Sequence, residues 1–313
     1  MNSSPSRRQF IATTGALATA AIIAGCSNNP AKPRNMKPFR YCLNTSTIRE
    51  KNIGIEAEID VANNAGYSGI EPWIRTIRAY MESGGKLSDL RNRLDDQGLQ
   101  VESAIGFAKW IVDDPTERAN ALEEAKSDMD IVHALGGSRI AAPPVGAQNG
   151  PLIDLETVAE RYHALLEVGR ETGVVPMLEV WGHSQNLHRL GQTLFAAAES
   201  SHPDACMLLD IYHIYKGGSQ YDGLSLLGPK SMPVLHMNDF PAIPERTKMN
   251  DSHRVMPGDG VAPFDKIIEQ LHTINPEMVL SLELFNRDYW KQDPLEVAKL
   301  GLEKMKAVVS SFL

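Results

Sequence analysis

Four acidic or imidazole side chains follow short apolar runs in the second half of the sequence, each where such a run stops. They are Glu179, Asp210, His236 and Glu283. Because it is costly to desolvate an unpaired carboxylate, acids flanked by apolar residues need a counter-charge. Three carboxylates and one imidazole that meet at one place carry about three negative charges, which a divalent cation largely neutralises. The pattern therefore predicts a metal site.

The donor atoms narrow the choice of metal. Three carboxylates and one imidazole suit manganese, magnesium, cobalt or zinc, and no thiolate is present to favour copper or an iron cluster. Mn²⁺ is our first choice, with Mg²⁺, Co²⁺ or Zn²⁺ as alternatives. Taken singly, each acid could also cap a helix or form a salt bridge, but four such residues in order are better explained by one shared ion.

A regular alternation of short apolar runs and longer helical segments must position these residues. The runs predict eight strands, over Phe39 to Asn44, Tyr67 to Glu71, Gln100 to Ile105, Arg139 to Ala142, Val175 to Glu179, Met207 to Asp210, Val234 to His236 and Val279 to Glu283. Between them, segments such as Thr116 to Leu135 place apolar residues at helical spacing. Eight such units in about 275 residues predict the α/β class and a single (β/α)8 TIM barrel, whose chemistry gathers at the C-terminal ends of its strands.

Composition places the chain among globular proteins and argues against nucleic-acid binding. Of its 313 residues, 42% are hydrophobic and 22% are charged, and the formal net charge is −8. An acidic surface repels phosphate backbones, and no basic run offsets it. The cysteines, Cys26, Cys42 and Cys206, are too few and too scattered for a disulfide framework or a zinc ribbon.

The first 26 residues have the layout of a removable export signal. Arg7 and Arg8 precede a weakly apolar run from Ile11 to Ala24, which is too short to span a membrane. The segment Ser6 to Ile11 resembles a twin-arginine export consensus, and Ile23 to Cys26 resembles a lipobox whose cysteine is acylated after cleavage. An uncleaved N-terminal anchor is the alternative.

Residues 27–38 contain three prolines and predict a flexible tether, so that the barrel is expected over residues 39–313. No later run of about 18 apolar residues follows. We therefore expect an exported protein, either periplasmic or a membrane-anchored lipoprotein. Membrane contact is expected only through the N-terminal lipid anchor.

The residues after the predicted strands resemble those of a known family. The body from about Phe39 to Leu313 is similar to the xylose isomerase-like superfamily of (β/α)8 sugar isomerases and epimerases. In its ketose-epimerase branch, a glutamate, an aspartate, a histidine and a glutamate after strands five to eight bind the metal. They are matched in order by Glu179, Asp210, His236 and Glu283. The resemblance implies that Glu179 and Glu283 also exchange the substrate proton.

The same resemblance implies two residues that contact the substrate. The Asp-x-x-His motif of strand six makes His213 the histidine that meets a substrate oxygen beside the metal. The segment His253 to Gly260 resembles a family loop from which an arginine reaches the substrate, and Arg254 is the candidate. The sequence departs from endonuclease IV of the same superfamily, which needs extra histidines where this chain has Glu71, Ala104 and Pro143, so DNA repair is not expected.

Position alone suggests further substrate contacts just past the predicted strands. Trp110 and Trp181 could stack on sugar faces or simply pack. His183 follows strand five and could touch the substrate or remain solvated. Glu71 could hydrogen-bond either His236 or a substrate hydroxyl.

The predicted site suits proton removal next to a carbonyl. A divalent ion that ligates a carbonyl and the neighbouring hydroxyl stabilises the charge formed on proton loss, and two carboxylates can remove and return the proton. The first expectation is a sugar isomerase or epimerase; its partner is a small-molecule sugar, non-phosphorylated because phosphorylated sugars stay in the cytoplasm. The alternatives are a lyase or dehydratase that performs β-elimination on a keto-sugar or 3-keto-glycoside, and a non-catalytic sugar-binding barrel. A homo-oligomer is possible.

Overall fold

Eight parallel strands form a closed barrel in the computed structural model, which describes residues 39–312. They are β1 Arg40–Asn44, β2 Gly69–Glu71, β3 Gln100–Val101, β4 Arg139–Ala142, β5 Val175–Glu179, β6 Met207–Asp210, β7 Val234–Met237 and β8 Val279–Leu282. The strands pair in the order β3-β2-β1-β8-β7-β6-β5-β4. This arrangement confirms the predicted (β/α)8 class. The expected export signal over residues 1–26 and the tether over residues 27–38 lie outside the described residues.

Ala104 closes the sheet between β3 and β4. Its amide donates to the Arg139 carbonyl at 3.2 Å, and its own carbonyl accepts from the Ala141 amide at 2.9 Å. β3 is thus shorter than the predicted strand over Gln100 to Ile105, because Ala104 pairs with β4. Ile105 pairs again with the chain after β2, since its amide donates to the Pro72 carbonyl at 2.9 Å and its carbonyl accepts from the Ile74 amide at 3.0 Å. The two ends of the sheet meet through the two hydrogen bonds of Ala104.

Helices connect the strands on the outside of the barrel. They are α1 Ile55–Ala65, α2 Ile74–Glu82, α3 Leu87–Asp96, α4 Pro115–Ala134, α5 Leu155–Thr172, α6 Leu190–Glu199, α7 Ile211–Gly217, α8 Phe264–Ile274, α9 Arg287–Trp290 and α10 Pro294–Ser310. Local sequence fixes several of their starts. The side chains of Asp114, Asp154 and Asp293 accept backbone N–H groups at the starts of α4, α5 and α10, as helix N-caps do. Within residues 39–312, no helix is long and apolar enough to cross a membrane.

Strand periodicity divides the buried residues into two sets. One set, which includes Leu43, Leu178 and Leu209, packs in the large core with the helices. The neighbouring residues Cys42, Met177 and Leu208 belong to a second, smaller cluster. Because successive strand side chains point to opposite faces, this second cluster fills the barrel interior.

Candidate active site

Because side chains alternate between the two faces of each strand, the predicted metal ligands point into the barrel. Interior positions are occupied by Met177, Leu208 and Val234. Two residues farther along each of these strands come Glu179, Asp210 and His236, which therefore point the same way at the C-terminal ends. Glu283 directly follows β8 and is also buried. The register places Asp210 directly opposite His236.

His236 lies at the centre of this group and is fully buried. Its Nδ1 atom lies 3.1 Å from Glu283 Oε2, 3.7 Å from Asp210 Oδ2 and 3.9 Å from Glu179 Oε1. On the other side of the ring, Nε2 lies 3.0 Å from Glu71 Oε2. A neutral imidazole that donates from Nε2 to a carboxylate keeps the Nδ1 lone pair free for a metal. Among the described residues, Nδ1 has no hydrogen-bond partner, so the donor set fits a divalent ion.

The electrostatic surroundings of His236 also favour a cation. Burial by itself would lower the pKa of His236, but Glu283 and Glu71 outweigh burial and raise this pKa well above its usual range. The same negative potential attracts a metal ion. Asp210, His236 and Glu283 offer three ligand atoms that lie within 4.8 Å of one another.

Glu71 holds the His236 ring in place. Its Oε2 atom accepts from Asn44 Nδ2 at 2.9 Å and from Ser281 Oγ at 2.7 Å, in addition to His236. The side chain is fully buried and does not line the cavity described below. The structure therefore favours the histidine contact over the substrate contact that the sequence also allowed.

We expect Glu71→Gln to weaken metal binding by about 10- to 100-fold, because the amide orients and polarises the His236 ring less well than a carboxylate does. The dissociation constant can be measured by competition with a chelator. Glu102→Gln is the matched control, since Glu102 is a buried carboxylate that pairs with Arg40 at 2.6 Å and not with His236. Equal affinities in both variants and the original protein would contradict the role of Glu71.

Arg254 supplies a positive charge to the same carboxylates and is 1% exposed. Its Nη1 atom donates to Asp210 Oδ2 and Glu283 Oε2, both at 2.8 Å. Its Nη2 atom donates to Asp251 Oδ1 at 2.6 Å and lies 2.9 Å from His213 Nε2. Arg254 and His213, the residues expected to contact the substrate, therefore lie beside the predicted metal ligands.

The two glutamates lie in different electrostatic surroundings. Burial raises the pKa of Glu179 well above its usual range, despite the opposing effect of His236. Burial acts in the same direction on Glu283, but His236 and Arg254 outweigh it and lower the pKa of Glu283 to about 2. Two carboxylates held in such contrast suit opposite roles in proton transfer.

A cavity of about 500 Å³ opens at this end of the barrel. Six of the residues expected at the site from the sequence line it, namely Glu179, Trp181, His183, His213, Arg254 and Glu283. Aromatic rings form much of its remaining wall, and they belong to Trp73, Phe107, Phe285 and Trp290. A substrate that enters this cavity meets both carboxylates and the aromatic side chains.

Trp110 lies apart from this cavity. Its indole Nε1 donates to the Pro143 carbonyl at 2.9 Å, and its ring packs 6.0 Å from that of Tyr162. The side chain is 1% exposed. Its packing does not support the substrate contact expected from its place after strand three.

Three further residues at the site were not predicted from the sequence. Asn44 donates to Glu71 Oε2 at 2.9 Å and to Glu283 Oε1 at 3.1 Å, and its position at the end of β1 was the signal that could have found it. Asp251 forms a cluster with His183 and His213 whose donor atoms lie within 4.8 Å. Arg49 also lines the cavity.

Comparisons with known proteins agree with this architecture. The inosose isomerase of Bacillus velezensis is 25% identical over 279 residues, which cover 88% of this chain and 98% of that protein. The inosose isomerase of Bacillus subtilis is 23% identical over 280 residues, which cover 88% of this chain and 99% of that protein.

Solved structures share the fold at lower identity. The IolI protein with a bound zinc atom has a TM-score of 0.81 at 21% identity, covering 88% of this chain and 99% of that one. An L-ribulose 3-epimerase has a TM-score of 0.70 at 17% identity, covering 88% and 95%. The probable 3-DHS dehydratase AsbF of Bacillus anthracis has a TM-score of 0.69 at 18% identity, covering 86% and 99%.

The family itself is shown by a match over most of the chain. Residues 59–308 match the family model described as xylose isomerase-like TIM barrel. The matched residues span seven of the eight strands, β2 to β8, and include all four predicted metal ligands. The chain therefore belongs to the xylose isomerase-like TIM barrel family.

Proposed function

We propose that this protein is a divalent-metal-dependent isomerase or epimerase that removes the proton next to the carbonyl of a non-phosphorylated sugar. One observation carries the proposal. Glu179 and Glu283, from the ends of the non-adjacent strands β5 and β8, place carboxylate oxygens 3.9 and 3.1 Å from His236 Nδ1, and both line one cavity. Two carboxylates beside one cation site can take a proton from one carbon and return it.

The metal would be held by the four strand-end residues Glu179, Asp210, His236 and Glu283. When bound, a divalent ion polarises a carbonyl and its neighbouring hydroxyl and so lowers the barrier to proton removal. Manganese is our first choice from the donor set, with magnesium, cobalt or zinc as alternatives. The relative solved with a bound zinc atom shares this fold.

Different residues of the chain then remove the proton, return it and stabilise the charge that forms on the substrate. Glu283, ionised beside Arg254, takes the proton, and Glu179 returns it from the other side of the site. Burial and Arg254 hold the pKa of His213 well below its usual range, so its neutral ring can meet a substrate oxygen. The Arg254 guanidinium stabilises negative charge that develops on the substrate.

A β-eliminating lyase that acts on a keto-sugar, such as a 3-keto-glycoside, is the second candidate. It begins with the same proton removal and needs no other residues. The aromatic wall of the cavity favours it, because the rings of Trp73, Phe107 and Trp181 can stack on an aglycone. An L-ribulose 3-epimerase and a probable 3-DHS dehydratase both share this fold, so the fold is compatible with both candidates.

We also propose that the protein acts outside the cytoplasm, carried there by its twin-arginine segment and held by a lipid on Cys26. This location is the reason to prefer a non-phosphorylated substrate. Radiolabelled lipid incorporation should be lost in Cys26→Ser. Retention of the label in that variant would contradict the anchor.

Proton exchange in D2O tests the reaction. The purified protein, with its metal identified by elemental analysis, is incubated with free ketoses and with 3-keto-glucosides and followed by NMR. We expect deuterium at the carbon beside the ketose carbonyl, with the carbon skeleton intact. Release of the aglycone with an unsaturated sugar product would identify the lyase instead. If the metal-loaded protein gives neither signal, both enzymatic candidates are contradicted and the non-catalytic sugar-binding barrel remains.

A further inference from the structure

Arg49 is a charged residue of the cavity that the proposed reaction does not use. It lies in the 3₁₀ helix Thr45–Lys51, directly after β1, and its side chain is half-buried. It lines the same cavity as Glu179 and Glu283. A cation placed there is available to whatever enters the cavity.

Three aromatic rings hold the guanidinium of Arg49. Its Cζ atom lies 5.1 Å from the ring centre of Trp73, 5.0 Å from that of Phe285 and 4.8 Å from that of Trp290. Two of these rings are themselves fixed, because the indole of Trp73 donates to Asn44 Oδ1 at 3.0 Å and that of Trp290 to the Ser46 carbonyl at 2.9 Å. Cation–π contacts of this kind position the guanidinium and keep water from its faces.

Within residues 39–312, the Arg49 side chain is not paired with an acid. Arg254 has three carboxylate partners, whereas no carboxylate or carbonyl within residues 39–312 forms an ion pair or hydrogen bond with the side chain of Arg49. Burial and Arg75 lower the pKa of Arg49, and the negative charges of Glu283, Glu50 and Asp251 oppose them only in part. Five N–H donors thus stand in a partly dry cavity with aromatic faces as their main contacts.

We propose that Arg49 binds an oxyanion of the substrate, a carboxylate or a phosphate, so that the sugar accepted by this cavity is acidic rather than neutral. The planar guanidinium presents paired N–H groups that match two oxygens of either group. An ionic contact gains strength where aromatic walls exclude water. The inference rests on the proposed function, since it names the substrate class of the same site; a carboxylate agrees with a non-phosphorylated sugar.

Binding of matched sugars to the metal-loaded protein tests this inference without depending on turnover. The probes are D-glucuronate and D-galacturonate, their neutral counterparts D-glucose and D-galactose, and D-glucose 6-phosphate, each measured by isothermal titration calorimetry. We expect at least one acidic sugar to bind about tenfold or more tightly than its neutral counterpart, as a charge-assisted hydrogen bond implies. A preference for the uronates identifies a carboxylate, whereas a preference for the phosphate identifies a phosphate and contradicts the non-phosphorylated substrate.

Arg49→Met keeps the aliphatic stem against the rings and removes the charge, so it should abolish the preference for the acidic sugar. Arg49→Lys should retain part of it, which shows that the loss in Arg49→Met does not come from altered packing. Arg75→Met is the matched control, because the Arg75 guanidinium also lies over the Trp73 ring, at 4.3 Å, but does not line the cavity. This control should bind like the original protein.

Two results would overturn the inference. One is equal binding, or no binding, of acidic and neutral sugars by the original protein; the other is an unchanged preference in Arg49→Met. Deuterium exchange is measured separately. A protein that exchanges deuterium into neutral ketoses but shows no acid preference would refute the role of Arg49 and leave the proposed function intact.

Discussion

Glu283→Gln is expected to lower the rate of deuterium exchange into the substrate by about 100- to 10,000-fold, the usual contribution of a positioned base. Glu283 Oε2 lies 3.1 Å from His236 Nδ1 and 2.8 Å from Arg254 Nη1, which keep the carboxylate ionised. A glutamine in this place cannot accept the proton. Exchange is measured by NMR at saturating metal, and bound metal is measured in the same sample, because Glu283 is also a predicted ligand.

The matched control for this experiment is Glu303→Gln, which changes an exposed glutamate of α10 and should leave exchange unchanged. Glu179→Gln completes the comparison. If each glutamate serves one face of the carbon, both single variants lose interconversion of the epimers, and each variant still exchanges deuterium into the one epimer whose proton faces the remaining glutamate. Full exchange in Glu283→Gln with metal bound would refute the two-carboxylate mechanism.

Arg254→Met is expected to destabilise the chelator-treated protein by about 3–5 kcal/mol, since it leaves buried carboxylates without their cation. Arg254 Nη1 contacts Asp210 Oδ2 and Glu283 Oε2 at 2.8 Å each, and these oxygens belong to the predicted metal ligands. A divalent ion should therefore restore much of the lost free energy of unfolding in the variant. Urea unfolding with and without saturating Mn²⁺ measures both effects.

Arg91→Met serves as the control for this variant. Its guanidinium pairs with the exposed Asp95 at 2.8 Å and donates to the Leu135 carbonyl at 3.0 Å, and loss of an exposed ion pair and one such hydrogen bond should cost less than about 2 kcal/mol. A loss of stability in Arg254→Met that is equal with and without Mn²⁺ would show that Arg254 contributes by packing alone. In that case it would not be the counter-charge of the site.

Most of the candidate site can be predicted from the strands alone, because every second residue of a strand faces the barrel interior and, in the strands that carry the predicted ligands, the last such residue is polar. Hydrophobic interior residues such as Met177 and Leu208 define which face looks inward, and the polar residue that ends the same alternation must follow them. β4, β5 and β6 have the predicted bounds, because their apolar runs are bounded sharply by polar or turn residues. This prediction uses only the sequence of each strand and does not depend on which residues pack against it.

Other features depend on neighbours that are distant in sequence. Trp110 turns to the Pro143 carbonyl, a partner that spacing alone does not reveal. The role of Arg49 depends on aromatic rings contributed after β2 and β8 and by α9, and sequence spacing does not show that an arginine lacks an acidic partner. β3 ends early because Ala104 pairs with β4, and this pairing, which closes the barrel, joins segments that are distant in sequence.

That closure at Ala104 also gives the barrel an uneven resistance to local unfolding. The ladder from β4 through β5, β6, β7 and β8 to β1 is continuous, whereas β3 and β4 meet through the two hydrogen bonds of one residue. Segments with fewer backbone hydrogen bonds open at lower free energy. We therefore expect the backbone amides of β3 to exchange with solvent faster than those of the strands that carry the four predicted ligands, which hydrogen-exchange measurements can test.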